Sequence, residues 1–283
     1  MSTTRTIFLL RLSALALAGS MVLPVNAATQ VLYDASKAPN AQYNPTTPGW
    51  LASGLLFTSQ TVTPTGTELA PTAGNSSYGG YSNHTSEIVF SPSFQVNTGP
   101  LVNSAFPDLN RNTGYSLTLG FHVDAESHSG NSNRAGFSIT LIGDDLKGVE
   151  IGFQNDRIFA QETGPSFFTA AENTVDPLAL GLLSSYRLWQ LGVSGNTYTL
   201  SQGGTPILTG ALRDYSAYTG LGQDAYRTSN FLFFGDNSSS AKANFGVSYA
   251  AITTAVPEPE VYALLLAGLG LLGGTALRRK RQG

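Results

Sequence analysis

Six polar side chains hold the most chemistry in this chain: Thr118, His122, Asp124, Thr140, Glu150 and Gln154. The first three occupy alternate positions of the run Tyr115–Asp124, whose other positions carry Tyr115, Leu117, Leu119, Phe121 and Val123. Successive side chains of a strand point to opposite faces, so this run predicts a strand with one face in a core and one in water. Thr140 alternates with Ile139 and Leu141, and Glu150 and Gln154 alternate with Val149, Ile151 and Phe153. If these strands pair with one another, all six polar groups share one wet face and offer donors and acceptors suited to sugar hydroxyls. A merely solvated face explains the same alternation, because antiparallel sheets often keep one side in water. An aromatic platform for a sugar would have to swing in from Trp50 or Tyr81. Trp189 shares its alternate positions with Arg187, Leu191 and Val193 and is expected in the core.

Catalytic patterns are missing. There is no Gly-x-Ser-x-Gly elbow, no His-Glu-x-x-His and no glycine-rich phosphate loop. The absence of cysteine excludes thiolate nucleophiles, disulfides and Cys-ligated metals. His84, His122 and His128 are spaced as no recognised ligand set, and no catalytic residue is assigned. Asp108-Leu109-Asn110-Arg111-Asn112 opens like an EF-hand loop, but Thr113 and Leu119 stand where the turn glycine and bidentate glutamate belong. Asp236, Asn237 and Asp144 fall at expected strand ends, where their oxygens could hold a rim calcium ion; the alternative is turn capping by their own side chains. The threonine row Thr61–Thr67, interrupted by Pro64, reads as a loop or an edge strand.

The elements that must position these groups are strands. Charged residues make up 12% of the 283 residues, against about 25% in ordinary soluble domains, while 31 Gly, 12 Tyr and 15 Phe favour strands and turns. Val31–Asp34, Glu87–Phe90, Phe137–Leu141, Val149–Gln154, Arg157–Gln161, Tyr186–Val193, Thr197–Gln202, Thr205–Thr209, Phe231–Phe234 and Phe245–Ile252 continue the series begun at Tyr115. About a dozen short strands exceed what one open sheet carries without splitting or curling, so an all-β, two-sheet antiparallel sandwich is expected over 28–255. Ser194-Gly195-Asn196 and Gln202-Gly203-Gly204 supply hairpin turns. Residues 35–85 read as long loops with few strands, and 169–183 as holding one helical turn.

Both ends read as addresses. Arg5 and Arg11 precede an apolar stretch from Leu12 to Leu23, Pro24 breaks it, and Val25 and Ala27 are small residues before a cut at Ala28, so 1–27 is expected to be a secretory signal helix. At 256–283, Pro257-Glu258-Pro259 leads into the uncharged stretch Val261–Leu277 and then Arg278, Arg279, Lys280 and Arg281. A helix over 261–277 spans roughly 26 Å at ~1.5 Å per residue, enough for a thin bilayer. The basic cluster would hold the terminus on the cytoplasmic side. Between the ends, residues 28–257 carry nine Lys and Arg against sixteen Asp and Glu, a net of −7, which argues against nucleic acid as a partner.

The tail, through Pro257-Glu258-Pro259, the glycine-rich apolar stretch and the terminal basic cluster, resembles the PEP-CTERM sorting signal of Gram-negative bacteria. That resemblance implies processing by an exosortase at the membrane, then delivery to the cell surface or matrix. Tyr33-Asp34, Trp50, Arg134-Ala135-Gly136-Phe137, Gly148-Val149-Glu150-Ile151-Gly152-Phe153, Tyr186-Arg187-Leu188 and the run Phe231 to Asn237 resemble laminin G-like, concanavalin A-like jelly rolls, and this implies glycan or protein binding. Some members hydrolyse glycans and some hold calcium at the rim. The laminarinase-type hydrolases of that fold set carboxylates at alternate strand positions; here Gly152 and Gln154 stand where the second and third would be. The expectation is therefore a non-enzymatic surface protein, glycan-binding or structural, with a glycan-active hydrolase as the alternative.

Overall fold

The computed structural model describes residues 25–36, 49–53, 57–63, 65–71, 79–89, 95–128, 133–162, 170–175, 183, 185–220, 223–238 and 240–257. The expected signal helix (1–27) lies outside them except for Val25–Ala27, which enter the first strand, and the expected membrane helix (261–277) lies wholly outside. Among the described residues no helix is long and apolar enough to cross a membrane. Ala27–Val256 form one compact unit.

The strands, in chain order, are β1 (Val25–Asp34), β2 (Ala52–Ser53), β3 (Phe57–Val62), β4 (Thr67–Pro71), β5 (Gly79–Ser82), β6 (His84–Val89), β7 (Gln95–Leu101), β8 (Tyr115–Ser127) and β9 (Phe137–Ile142). They continue as β10 (Lys147–Phe153), β11 (Ile158–Gln161), β12 (Ala170–Val175), β13 (Arg187–Ser194), β14 (Thr197–Gln202), β15 (Thr205–Ala211), β16 (Arg213–Asp214), β17 (Phe231–Asp236) and β18 (Lys242–Pro257), with one helical turn, α1 (Gln223–Tyr226). Sheet A runs β15-β14-β13-β8-β18-β4-β3 with β1 on β18; sheet B runs β12-β11-β10-β9-β17-β5-β2 with β16 on β10; β6 and β7 form a separate hairpin. The all-β antiparallel sandwich is as the alternation predicts. Residues 35–85 hold more strand than composition indicates; of the stretch 169–183 expected to hold one helical turn, 170–175 are a strand and 176–182 lie outside the described residues. The threonine row supplies the end of edge strand β3, a turn, and the start of β4.

The hairpin turns form where glycine permits them. Gly203 and Gly204, both at positive φ (58° and 81°), close β14 onto β15, a two-residue geometry closed to most side chains. The core lies between the sheets, where aromatic rings interlock. Phe121 of sheet A stacks 4.6 Å from Phe137 and meets Phe153 at 5.0 Å, both from sheet B, while Trp189 flanks Phe121 at 5.6 Å and Phe153 at 5.4 Å. Trp189 is buried, as its alternate positions predict. Tyr81 is fully buried against Phe234 and so is no loop platform for a sugar, while Trp50 packs partly buried against the same core.

A second apolar cluster, Ile142, Tyr215, Tyr218, Tyr226 and Phe231, forms on the other side of sheet B. Ile142 follows core residue Leu141 in β9 and therefore faces outward, as does its register partner Phe231. The segment carrying β16 and α1 thus folds over the outer face of sheet B and closes it to water.

Candidate functional site on the outer face of sheet A

The six polar residues expected on one face are divided between two. β8 pairs with β13 and β18 in sheet A, whereas β9 and β10 pair with each other in sheet B. Thr140, Glu150 and Gln154 are at most 2% exposed. The Glu150 carboxylate accepts hydrogen bonds from the Tyr226 hydroxyl and from Asn237 Nδ2 at 3.0 Å, and Arg134 Nη1 lies 3.5 Å away. Burial, and after it the Glu150 charge, push the Tyr215, Tyr218 and Tyr226 phenols up from their ordinary value, so they stay neutral. Gln154 donates to the Arg134 carbonyl and accepts from Arg157 Nε, each at 2.7 Å. Tyr226 covers Glu150, the hydrogen bonds of Glu150 and Gln154 are spent internally, and Thr140 is buried beside them, so the shared wet face expected of all six does not form.

Asp144, Asp236 and Asn237 do not gather either. Phe231 pairs with Ile142 and Gly235 with Ser138, which sets exposed Asp144 at one end of β17 and Asp236 at the other, about 15–20 Å apart along the strand. Asp236 is fully buried, and desolvation raises its carboxyl from 3.8 to about 8 against the pull of the Ser238 backbone N–H and Arg134. Its Oδ1 accepts the Ser238 N–H at 2.9 Å, a turn cap. Asn237 accepts from Arg134 Nη2 at 2.8 Å and donates to Glu150. Three residues so separated and so engaged cannot ligate one calcium ion together. The three histidines likewise take separate partners: His84 the Gly99 carbonyl, His122 two carboxylates, His128 Glu126.

Thr118, His122 and Asp124 remain together on sheet A, where the register adds groups that sequence reading did not single out. Glu68 of β4 sits opposite Gly246 of β18, and Gly246 sits opposite His122 of β8. The middle residue has no side chain, so the flanking side chains meet above it: His122 Nε2 lies 3.1 and 3.2 Å from the two Glu68 oxygens. His122 Nδ1 faces Asp124 Oδ1 at 2.9 Å, a contact made possible by their i, i+2 spacing on one strand face. Tyr186, just before β13, lays its ring edge-on to His122 with centroids 4.3 Å apart and donates its hydroxyl to Glu68 Oε1 at 2.5 Å. Burial first, then that hydrogen bond and the Glu68 charge, push this phenol up from its ordinary value.

Beside this cluster the face carries two shallow grooves. One is lined by Asp34, Thr65, Tyr186, Leu188, Ser248 and Tyr249; the other by Thr118, Leu188, Gln190, Ser201 and the Gly203-Gly204 turn. Leu188, 57% exposed, stands between them. One signal for it was present in the sequence, since Leu188 alternates with core residue Trp189 and so is an apolar side chain on the wet side. Glu68 and Gly246 carried no such signal.

No curated protein matches the chain in sequence. Among solved structures it is similar to a carbohydrate esterase from Shiga toxin-encoding bacteriophage phi24B, at 10% identity and a TM-score of 0.47 over 80% of this chain and 99% of that one. It is also similar to a protein of unknown function with a galectin-like fold from Bacillus subtilis, at 12% identity and a TM-score of 0.43 over 83% of this chain and all of the other. Residues 255–281 match the family model described as the PEP-CTERM protein-sorting motif, and with that match the chain is shown to carry the signal by which an exosortase recognises an exported, envelope-sorted protein.

Proposed function

We propose that this is an exported surface or matrix protein, sorted by an exosortase, whose laminin G-like sandwich binds glycan on the outer face of sheet A and does not turn it over. The observation that carries the reading is the juxtaposition of exposed Leu188 and partly exposed Tyr186 and Tyr249 with Thr118, Gln190 and Ser201 across adjacent strands. Apolar bodies can lie against the C–H face of a pyranose while the flanking hydroxyls and amide bond its OH groups. With Asp34, Glu68 and Asp124 nearby, the face favours neutral or cationic glycans over acidic ones.

A glycan array probed with the full chain in detergent tests this reading. Saturable binding without product release is expected, weakened about fivefold or more by Tyr249→Ala or Gln190→Ala. A hydrolase remains the competing reading, with Glu68 and Asp124, whose oxygens come within 4.8 Å, as its carboxylate pair. Reducing sugar released by wild type and lost in Glu68→Gln would replace binding with catalysis.

The sorting step makes its own prediction. Mature protein outside the cell is expected to lack Arg278–Arg281, and alanines at Pro257, Glu258 and Pro259 are expected to trap an unprocessed, membrane-bound form. Intact-mass spectra showing Gly283 on surface-exposed protein would contradict it.

A further inference from the structure

We infer that Glu68 and His122, with Tyr186 beside them and Asp124 behind, form a binding site for a divalent transition-metal ion of the zinc type. The inference rests on hydrogen-bond accounting and does not depend on what the rest of the face binds. A neutral imidazole carries one N–H. With that proton on Nδ1, donated to Asp124 at 2.9 Å, Nε2 presents a lone pair to Glu68 oxygens at 3.1 and 3.2 Å. Two acceptors in contact require something between them, a proton on the ring or the carboxyl or a metal ion.

The spacing suits the metal. Ligands at ~2.0–2.2 Å from a tetrahedral zinc ion stand about 3.3 Å from each other, close to the separation already present, so entry of the ion needs little rearrangement. The supporting contacts are those of a metal-ligating histidine, whose other nitrogen commonly donates to a carboxylate that fixes the tautomer. Asp124 fills that role, and the Tyr186 hydroxyl donates to Glu68 Oε1 while Oε2 faces Nε2. A methyl group on Gly246 would collide at once with Nε2, the Tyr186 hydroxyl and Glu68 Oε2; three polar atoms converge over the one position in the row that has no side chain. An imidazole nitrogen with a carboxylate oxygen selects zinc-like ions, since calcium and magnesium take oxygen ligands. Asp124 is 58% and Glu68 35% exposed at the side chain, which leaves the outer side open for water or a ligand to complete the coordination.

The test is calorimetric titration of Zn2+ into the detergent-solubilised full chain, stripped with chelator and held in excess Mg2+. One saturable Zn2+ per chain is expected. Glu68→Gln should weaken it at least tenfold while keeping an acceptor for Tyr186, and Asp124→Asn by about tenfold to a hundredfold. His128→Asn serves as the control, because His128 also lies between two carboxylates, Glu126 and Asp156, at 2.8 and 3.7 Å; it should leave Zn2+ uptake unchanged. Should Glu68→Gln fail to fold, Asp124→Asn, altered at a half-exposed side chain, decides the matter. Absence of saturable uptake in the wild type, wild-type affinity in the Glu68 and Asp124 variants, or loss in the His128 variant would overturn the inference.

Discussion

Replacing Phe121 with alanine is expected to lower the unfolding free energy by about 3–5 kcal/mol, the range for emptying a buried aromatic site. Phe121 is fully buried and touches rings from both sheets, Phe137 and Phe153 across the sandwich and Trp189 beside it. The loss combines transfer of the ring to water with a cavity that two hydrogen-bonded sheets cannot collapse to fill. For a unit of this size the melting midpoint should fall by roughly 6–20 °C. Leu188→Ala, which trims an exposed side chain, should stay within about 0.5 kcal/mol of wild type. Thermal and urea denaturation of the two variants side by side checks both values. A Phe121→Ala midpoint within two degrees of wild type would mean that the aromatic contacts do not join the sheets.

The second large effect is a pH dependence that Asp236→Asn should remove. In the folded protein the Asp236 carboxyl titrates at about 8, against 3.8 ordinarily, with desolvation the leading cause. Between those values the folded state keeps a proton that the unfolded chain releases. The unfolded state is thereby favoured as pH rises, and stability is lost progressively from about pH 4 to about pH 8. The slope from this one group approaches ~1.4 kcal/mol per pH unit at most. Asparagine preserves the acceptor for the Ser238 N–H and cannot ionise, so the variant should gain on wild type as pH is raised and exceed its stability near pH 8. Urea midpoints at pH 5, 6.5 and 8 measure the divergence; parallel profiles for the two proteins would refute it. A carboxyl that stays protonated through neutral pH is also a poor calcium ligand, which agrees with its separation from Asp144.

How far the sequence could be read depended on the range over which each property is set. Alternation is local: Tyr115, Leu117, Leu119, Phe121 and Val123 are buried as their period-2 spacing requires, and Trp189 faces inward with Leu191 and Val193. Turn chemistry is local too, and Gly203-Gly204 closes its hairpin because two adjacent positive φ angles fall where glycine allows them. The sorting motif at 255–281 is a contiguous string, so it was legible without any fold.

Pairing and covering are not local. Alternation shows which side chains of one strand share a face, but not which strand lies beside it or what folds over it. His122 and Glu150 have the same local pattern, a polar residue between apolar ones, yet the first lies on the open face of sheet A and the second beneath Tyr226, which comes 76 residues later in the chain. The Glu68, Gly246 and His122 row joins three strands, and Glu68 and His122 alone are 54 residues apart. The sequence by itself determined the strongly alternating strands, their inward faces and the address at the end of the chain. Which polar groups meet was decided only by the tertiary structure, because long-range strand register and burial by distant segments depend on the packing of the whole sandwich.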